Sequence, residues 1–261
     1  MDRKPYPSDV SENEWLVIGE HIPAVKSGGR PAKHSRREIV NAMAYIVRAG
    51  GAWRLLPHDF PPWQTVYGYF RAWRDSGLWQ YINDQLRDEI RLLVGRSPEP
   101  SAAIIDSQSV KTTEKGGLKG YDAGKKIKGR KRHIAVDSLG LLLLVVVHSA
   151  AIQDRAGAVL VFDQLIHLFP FIRLVWADGG YTGQLVSRAK QCWGFVLEII
   201  KRTDDLKGFQ LLPRRWVVER PFAWLGRYRR LSKDYEYYPD SSETMIYLAM
   251  SLLMARRIAR S

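Results

Sequence analysis

The spacing of apolar residues changes once along this chain, about a third of the way from the amino terminus. In the stretch 78–94, apolar side chains recur every three or four positions, which predicts an amphipathic helix. After a proline-containing linker at 95–100 comes the continuous apolar run 102–105, which is typical of a buried strand. This change of period marks the start of a second domain that contains strands. We predict a small all-α domain at 1–95 and an α/β domain at 96–261.

One helix of the first domain has the pattern of a recognition helix. It is predicted to begin near Trp63, directly after two prolines, and it carries Gln64, Arg71 and Arg74 away from its apolar face. Such side chains could contact base edges and phosphates in the major groove of DNA. The alternative is that the helix only packs within a tryptophan-rich bundle.

The second domain is predicted to combine a hairpin with strands that are separated by helices. The hairpin joins 132–136 to 141–148 across a short turn. Further strands are predicted at 172–177 and 195–200, each preceded by a helix. Hairpin strands are antiparallel, whereas strands joined by single helices are parallel and connected by right-handed crossovers. We therefore predict a mixed sheet with flanking helices.

Three carboxylates occupy positions that suit a metal site. Asp106 directly follows the run 102–105, Asp178 directly follows the predicted strand 172–177, and Glu219 lies in a helical segment near the carboxyl terminus. In open α/β sheets, functional groups gather beyond the carboxyl ends of parallel strands. Carboxylate oxygens suit hard cations such as Mg²⁺ or Mn²⁺, and the single cysteine cannot make a cysteine zinc site.

Each of these carboxylates also has a purely structural interpretation. Asp106 could cap a turn, Asp178 could begin the turn that contains two glycines, and Glu219 could pair with Arg215 one helical turn back. Taken together, and with basic clusters on both sides, the three carboxylates favour the metal site.

The charge of the chain points to nucleic acid. There are 40 Lys and Arg residues against 27 Asp and Glu residues, a formal net charge of +13. Most of the excess lies in two clusters, at 111–132 and 214–233, although a solvated basic face is the alternative interpretation of such a cluster. The candidate DNA-backbone contacts are Lys111, Lys125, Lys126, Lys128, Arg130, Arg132, Arg215, Arg220 and Arg227.

Three segments in chain order resemble the DDE transposases of bacterial insertion sequences, in the group of the fourth and fifth insertion-sequence families. The segments are 104–111 (IIDSQSVK), 177–181 (ADGGY) and 215–220 (RWVVER). The group signature has a tyrosine and a lysine where this chain has Leu212 and Gly226.

The resemblance implies a ribonuclease-H-like catalytic domain preceded by a small helical DNA-binding domain. It implies that Asp106, Asp178 and Glu219 hold two divalent ions, and that the protein cuts and joins DNA at the terminal inverted repeats of a mobile element and at its target. It also implies a homodimer or a higher oligomer on DNA. The alternatives are a sequence-specific DNA-binding regulator and a domesticated nuclease of the same fold that does not transpose. The three intact carboxylates argue against the regulator.

No membrane segment is predicted. The longest apolar stretch, 139–147, is far shorter than the roughly 20 residues that a spanning helix needs, and the first 20 residues include five acidic ones. We expect a bacterial cytoplasmic protein that acts at the nucleoid.

Overall fold

The computed structural model describes residues 3–24, 33–114, 117–200 and 216–261. The helices are α1 (Glu12–Gly19), α2 (Arg36–Ala49), α3 (Trp63–Asp75), α4 (Leu78–Leu93), α5 (Asp154–Leu168), α6 (Gln184–Arg188), α7 (Trp216–Gly226) and α8 (Pro239–Ile258). The strands are β1 (Ala102–Lys111), β2 (Gly120–Asp122), β3 (Ile127–Val136), β4 (Leu142–Ser149), β5 (Leu174–Ala177) and β6 (Val196–Ile199).

Local sequence signals explain where the first helices begin and end. Ser11 accepts a hydrogen bond from the Glu14 N–H, and the Glu14 carboxylate accepts one from the Ser11 N–H, so that two backbone donors at the start of α1 are satisfied. At the start of α2, the Ser35 hydroxyl accepts a hydrogen bond from the Glu38 N–H. Gly50 ends α2 with a φ of 79°, a left-handed conformation that costs glycine little.

The strands form one mixed sheet in the order β2-β3-β1-β5-β6, with β4 also paired to β3. β1 is antiparallel to β3 and parallel to β5, and β5 is parallel to β6. The predicted mixed sheet is therefore confirmed. β1 extends to Lys111, six residues beyond the predicted strand, and β3 begins at Ile127, five residues before the predicted hairpin arm.

The sheet has a different apolar cluster on each face. On one face, Ala103 and Ile105 of β1 pack with Phe162 of α5. On the other face, Ile104 of β1 and Ile134 of β3 belong to a cluster that also includes buried residues of α8 and of α1 to α4. The helical segment thus shares its core with the sheet, and the boundary between residues 95 and 96 stays a prediction.

Polar contacts also join the helical segment to the rest of the chain. Arg91 of α4 and Asp137, in the turn between β3 and β4, form an ion pair in which both side chains are buried. The Asn83 side chain donates to the Leu142 carbonyl oxygen at 2.9 Å, and Arg256 of α8 pairs with Glu14 of α1 at 2.9 Å. A buried pair such as Arg91–Asp137 holds two elements in one geometry, because neither partner can be left unpaired without a large penalty.

Candidate active site

Two of the predicted carboxylates lie at the same level of neighbouring parallel strands. Ile104 of β1 is paired with Trp176 of β5, so that the register places Asp106 and Asp178 level with each other, two residues further on in each case. Adjacent strands lie about 4.8 Å apart. Asp106 is in the middle of its strand rather than at the end that the apolar run predicted, and Asp178 follows the last residue of β5.

The third carboxylate is on a helix that covers the same face of the sheet. Asp106 is paired with Ile134, so both side chains point to the face that carries α7 and α8. Val217, Phe222 and Trp224 of α7 pack against the cluster on this face, and Glu219 on the same helix is exposed. Within the part of the chain that the structure describes, no three His, Cys, Asp or Glu side chains converge closely enough to hold a metal ion.

Backbone N–H groups orient both aspartates. The Ser107 N–H donates to Asp106 Oδ1 at 2.6 Å, and the Gly180 N–H donates to Asp178 Oδ1 at 2.8 Å. Asp178 therefore does cap the turn Gly179–Tyr181, as its structural interpretation proposed. A Cβ on Gly180 would lie 3.0 Å from that same oxygen, so glycine leaves the Asp178 carboxylate room at this position.

A buried hydrogen-bonded chain fixes the turn that follows Asp178. The Tyr181 hydroxyl lies 2.7 Å from His133 Nε2, His133 Nδ1 lies 3.1 Å from His148 Nε2, and His148 Nδ1 lies 2.9 Å from the Ser149 carbonyl oxygen. A carbonyl oxygen can only accept, so each Nδ1 carries the proton and the Tyr181 hydroxyl donates to His133. These hydrogen bonds connect the turn after β5 to the β3–β4 pair.

Burial keeps these groups uncharged. Burial and then the nearby His148 lower the pKa of His133 to about 3, and burial lowers the pKa of His148. Burial, followed by the negative charge of Asp106, raises the pKa of Tyr181 well above its usual value. The two histidines are therefore neutral hydrogen-bonding groups at neutral pH.

An ion pair between the buried Lys131 and the half-buried Asp154 lies next to this hydrogen-bonded network. Lys131 Nζ is 2.7 Å from Asp154 Oδ1, at the start of α5, and the Ser107 hydroxyl donates to the same oxygen at 2.8 Å. Burial by itself would raise the pKa of Asp154, but the hydrogen bonds from Lys131 and Ser107 outweigh it and lower that pKa. Sequence reasoning missed Ser107, Lys131, Asp154 and Tyr181 as parts of one network, although all but Asp154 lie within a segment that it identified.

The structure corrects two of the predicted DNA contacts, because Arg130 and Arg132 are buried. Arg130 is 0% exposed and donates to the carbonyl oxygens of Leu118, Glu236 and Tyr237. Arg132 is 1% exposed and donates to the carbonyl oxygens of Leu231 and Lys233. Both guanidinium groups satisfy the backbone of the segment before α8, so neither presents its charge to a phosphate.

Arg74 also has a different role from the predicted one. Its side chain, 14% exposed, pairs with Asp75 at 2.7 Å and donates to the Ser241 hydroxyl at 2.9 Å, which ties α3 to α8. The half-buried Arg220 lies over the Trp224 ring at 5.7 Å, and Arg215 lies outside the described residues. The remaining candidate DNA contacts are exposed: Gln64, Arg71, Lys111, Lys125, Lys126, Lys128 and Arg227.

Within the described ranges, no helix combines the length and the apolar character that crossing a lipid bilayer requires.

Comparison with known proteins gives two family matches that together reach from residue 10 to residue 254. Residues 97–254 match the family described as "Transposase DDE domain", and residues 10–83 match the family described as "Putative transposase of IS4/5 family". The first match spans more than half of the chain and includes the whole sheet, together with Asp106, Asp178 and Glu219.

Two individual relatives were also found. The chain is 30% identical over 140 residues to a protein of Burkholderia cepacia named "Putative transposase for insertion sequence element IS402", an alignment that covers 51% of this chain and 66% of the relative. It is 24% identical over 102 residues to the "Uncharacterized protein y4sN" of Sinorhizobium fredii, covering 39% of this chain and 75% of that protein. The chain thus spans just under two thirds of the length of the Burkholderia relative.

Proposed function

We propose that this chain, which belongs to the family of transposases with a DDE domain, binds the terminal inverted repeats of an insertion sequence and catalyses metal-dependent cleavage and joining of DNA strands. The observation that carries the proposal is the placement of Asp106 and Asp178 at one level of two neighbouring parallel strands, on the face that α7 covers.

The donor set fits hard divalent cations. Asp106, Asp178 and Glu219 offer carboxylate oxygens, which Mg²⁺ and Mn²⁺ prefer as ligands. We propose that these three residues hold two such ions, and that the carboxylates draw together when the ions bind, since without them the like charges repel. Divalent ions bound there would activate water or a DNA 3′-hydroxyl and stabilise the departing oxygen of the scissile phosphate.

Hydrogen bonds around the two aspartates fix the orientation of their carboxylates and the backbone that carries them. The N–H groups of Ser107 and Gly180 hold one oxygen of each aspartate in a fixed direction. The buried chain from Tyr181 to His148 holds the turn after β5, and the Lys131–Asp154 pair holds β3 against α5. These contacts keep Asp106 and Asp178 at a constant separation, as two ligands of one catalytic site require.

DNA would be held by the exposed basic side chains. Lys111, Lys125 and Lys128 extend from β1 and from the β2–β3 region, where they can contact phosphates without reading sequence. On the helical side, Gln64 and Arg71 of α3 are exposed and remain our candidates for reading the repeat. Because two element ends must be joined in one reaction, we propose that a homodimer or a higher oligomer forms on DNA.

The test uses a supercoiled plasmid that carries this coding sequence with its native flanking DNA. Wild-type protein is expected to nick or cut the plasmid at the boundaries of a terminal repeat when Mg²⁺ or Mn²⁺ is present, and to remain inactive in chelator. Asp106→Asn, Asp178→Asn and Glu219→Gln should each abolish cutting while DNA affinity stays within about twofold, because each change removes a ligand charge but no phosphate contact.

Glu99→Gln is the matched control, because it neutralises an exposed carboxylate in the linker and should cut normally. Retained cutting in one of the three site variants would remove that residue from the proposed site. Cut ends that are never joined to a second DNA would favour the nuclease over the transposase.

A further inference from the structure

Three exposed tyrosines lie at one end of the sheet face that carries Asp106. The exposed fractions are 55% for Tyr121, 60% for Tyr237 and 57% for Tyr238. Tyr121 is on β2, and the other two directly precede α8. Large aromatic side chains usually bury most of their area, so three exposed ones on a held backbone need an explanation.

The strand register places Tyr121 on the same face as Asp106. Tyr121 is paired with Lys128, and Asp106 is paired with Ile134. Side chains two residues apart on a strand share a face, and β3 runs without a bulge from Lys128 to Ile134. Lys128 and Tyr121 therefore lie on the carboxylate face, six residues of β3 or about 20 Å from the level of Asp106.

The buried Arg130 brings the other two tyrosines to this end of the sheet. Its guanidinium donates to the Leu118 carbonyl oxygen at 2.7 Å and to the Tyr237 carbonyl oxygen at 2.5 Å, so these two backbones lie side by side. A Cβ on Gly117 would lie 3.5 Å from the Tyr237 ring. Arg130 is four residues, or about 13 Å, from the level of Asp106 along β3.

The rings of Tyr237 and Tyr238 are arranged edge to face, with their centroids 4.9 Å apart and an interplanar angle of 78°. Their backbone is fixed by Arg130 and by the start of α8, where Tyr238 is the N-cap residue. The rings are therefore exposed on an ordered support. Lys119 and Lys128, both exposed, lie beside Leu118 and Tyr121.

We propose that Tyr121, Tyr237 and Tyr238, together with Lys119 and Lys128, form a stacking surface for unpaired bases of the DNA strand next to the cut. Exposed rings with lysines beside them fit a single strand, because the bases stack on the rings while the lysines contact the phosphates. Paired bases are already stacked on each other and offer no faces to a ring, so the surface selects melted DNA. The proposal rests on the proposed function, since it assumes that DNA is cut at Asp106.

The position of the surface specifies which bases it holds. The surface lies about 13–20 Å along β3 from the level of Asp106, which corresponds to roughly four to six nucleotides at 3.4 Å per nucleotide of stacked strand. Unpaired bases this close to the scissile phosphate would keep the strand end accessible to the carboxylates after cutting.

The test measures binding of the full-length protein to a labelled thymidine 20-mer and to a mixed-sequence duplex of equal length, in chelator. Replacement of a stacking tyrosine by alanine or by leucine should weaken binding of the single strand on the order of 5- to 150-fold, while phenylalanine should preserve it. Duplex binding should change less than twofold. Tyr81→Ala, which removes an exposed ring on α4, is the matched control and should leave both affinities unchanged.

Salt dependence separates the rings from the lysines. Tyr237→Leu should leave the slope of log K against log salt unchanged, whereas Lys128→Ala should make it shallower by about 0.7 on single-stranded DNA. An equal loss on single-stranded and duplex DNA, or wild-type binding by Tyr237→Leu and Tyr238→Leu, would overturn the stacking surface.

The assay needs neither metal nor cutting, so its outcome is independent of the cleavage test. If the tyrosine variants lose single-strand binding and the wild-type protein never cuts DNA, the surface is supported and the proposed function is refuted. Normal cutting by tyrosine variants that bind single strands normally would refute the surface and leave the function intact.

Discussion

The ion pair between Arg91 and Asp137 offers a direct test of whether the helices and the sheet unfold together. Arg91 is on α4, and its side chain is 6% exposed; Asp137, in the β3–β4 turn, is 0% exposed. Asp137 Oδ1 also accepts the N–H groups of Leu139 and Leu141, each at 2.9 Å. Arg91→Ala therefore leaves a buried carboxylate that organises the turn but has lost its cation.

Breaking a buried ion pair by removing one partner costs about 3–5 kcal/mol. For a chain of this size, each kcal/mol lowers the midpoint of thermal unfolding by about 2–4 °C, so the expected decrease is roughly 6–20 °C. Because the cluster on the carboxylate face contains residues of both segments, the loss should appear in one transition of the whole chain.

The assay is denaturant and thermal unfolding followed by tryptophan fluorescence and by circular dichroism in parallel. Arg96→Ala is the matched control, because Arg96 is exposed and donates to Ser138 in the same turn at 3.2 Å, and it should cost less than about 1 kcal/mol. Two separate transitions, with only one of them shifted, would show that the helical segment folds as a domain of its own and would refute this reasoning.

Two further predictions concern the buried histidine pair. Since the pKa of His133 falls from 6.5 to about 3 on folding, its contribution to stability is complete above about pH 6.5 and is lost as the pH falls toward 3. Over that range, urea titrations of the wild-type protein should show a loss of up to about 1.4 kcal/mol per pH unit that His133→Gln does not show. The control is His58→Gln, which changes an exposed histidine. An equal pH slope in wild type and His133→Gln would contradict the burial argument. Gly157→Ala should destabilise by about 1–3 kcal/mol, because its Cβ would lie 2.6 Å from His148 Nε2 and 2.7 Å from His133 Nδ1. Gly68→Ala, in an open position of α3, should instead stabilise by up to about 1 kcal/mol, and the same sign for both changes in calorimetry would count against the close approach of Gly157 to the histidines.

Patterns within short segments were sufficient to predict the mixed sheet and the neighbouring placement of two carboxylates. Asp106 and Asp178 each follow an apolar run, and parallel strands present their carboxyl ends at one edge. Taking the apolar run as the whole strand ended the predicted β1 too early, because Ser107 and Ser109 are polar and yet buried in the strand. Ser107 is satisfied by Asp154 and Ser109 by Asp122, partners that no local pattern identifies.

Charge patterning failed for Arg130 and Arg132 for a related reason. A basic cluster predicts an exposed surface because a buried cation without a partner is costly. The groups that make burial possible are carbonyl oxygens of residues 231–237 and, for Arg130, the buried Asp234 carboxylate at 3.2 Å, all about a hundred positions further along the chain. Only the tertiary fold brings them to β3, so the local sequence of the cluster could not separate these two arginines from the exposed lysines beside them.

The alternation of side chains along β1 places Asp106 and a polar network on opposite faces of the sheet. Asp106 points to the face of α7, and the next residue, Ser107, points to α5, where it joins Asp154, Lys131 and Tyr181. On the α5 face the two charges of this network are paired and its other groups are neutral, as burial demands. On the other face, Asp106 shares its side of the sheet with α7, which carries the exposed Glu219. β1 thus connects the two faces, and substitutions in the network on the α5 face should affect Asp106 both through the backbone of β1 and through electrostatic coupling.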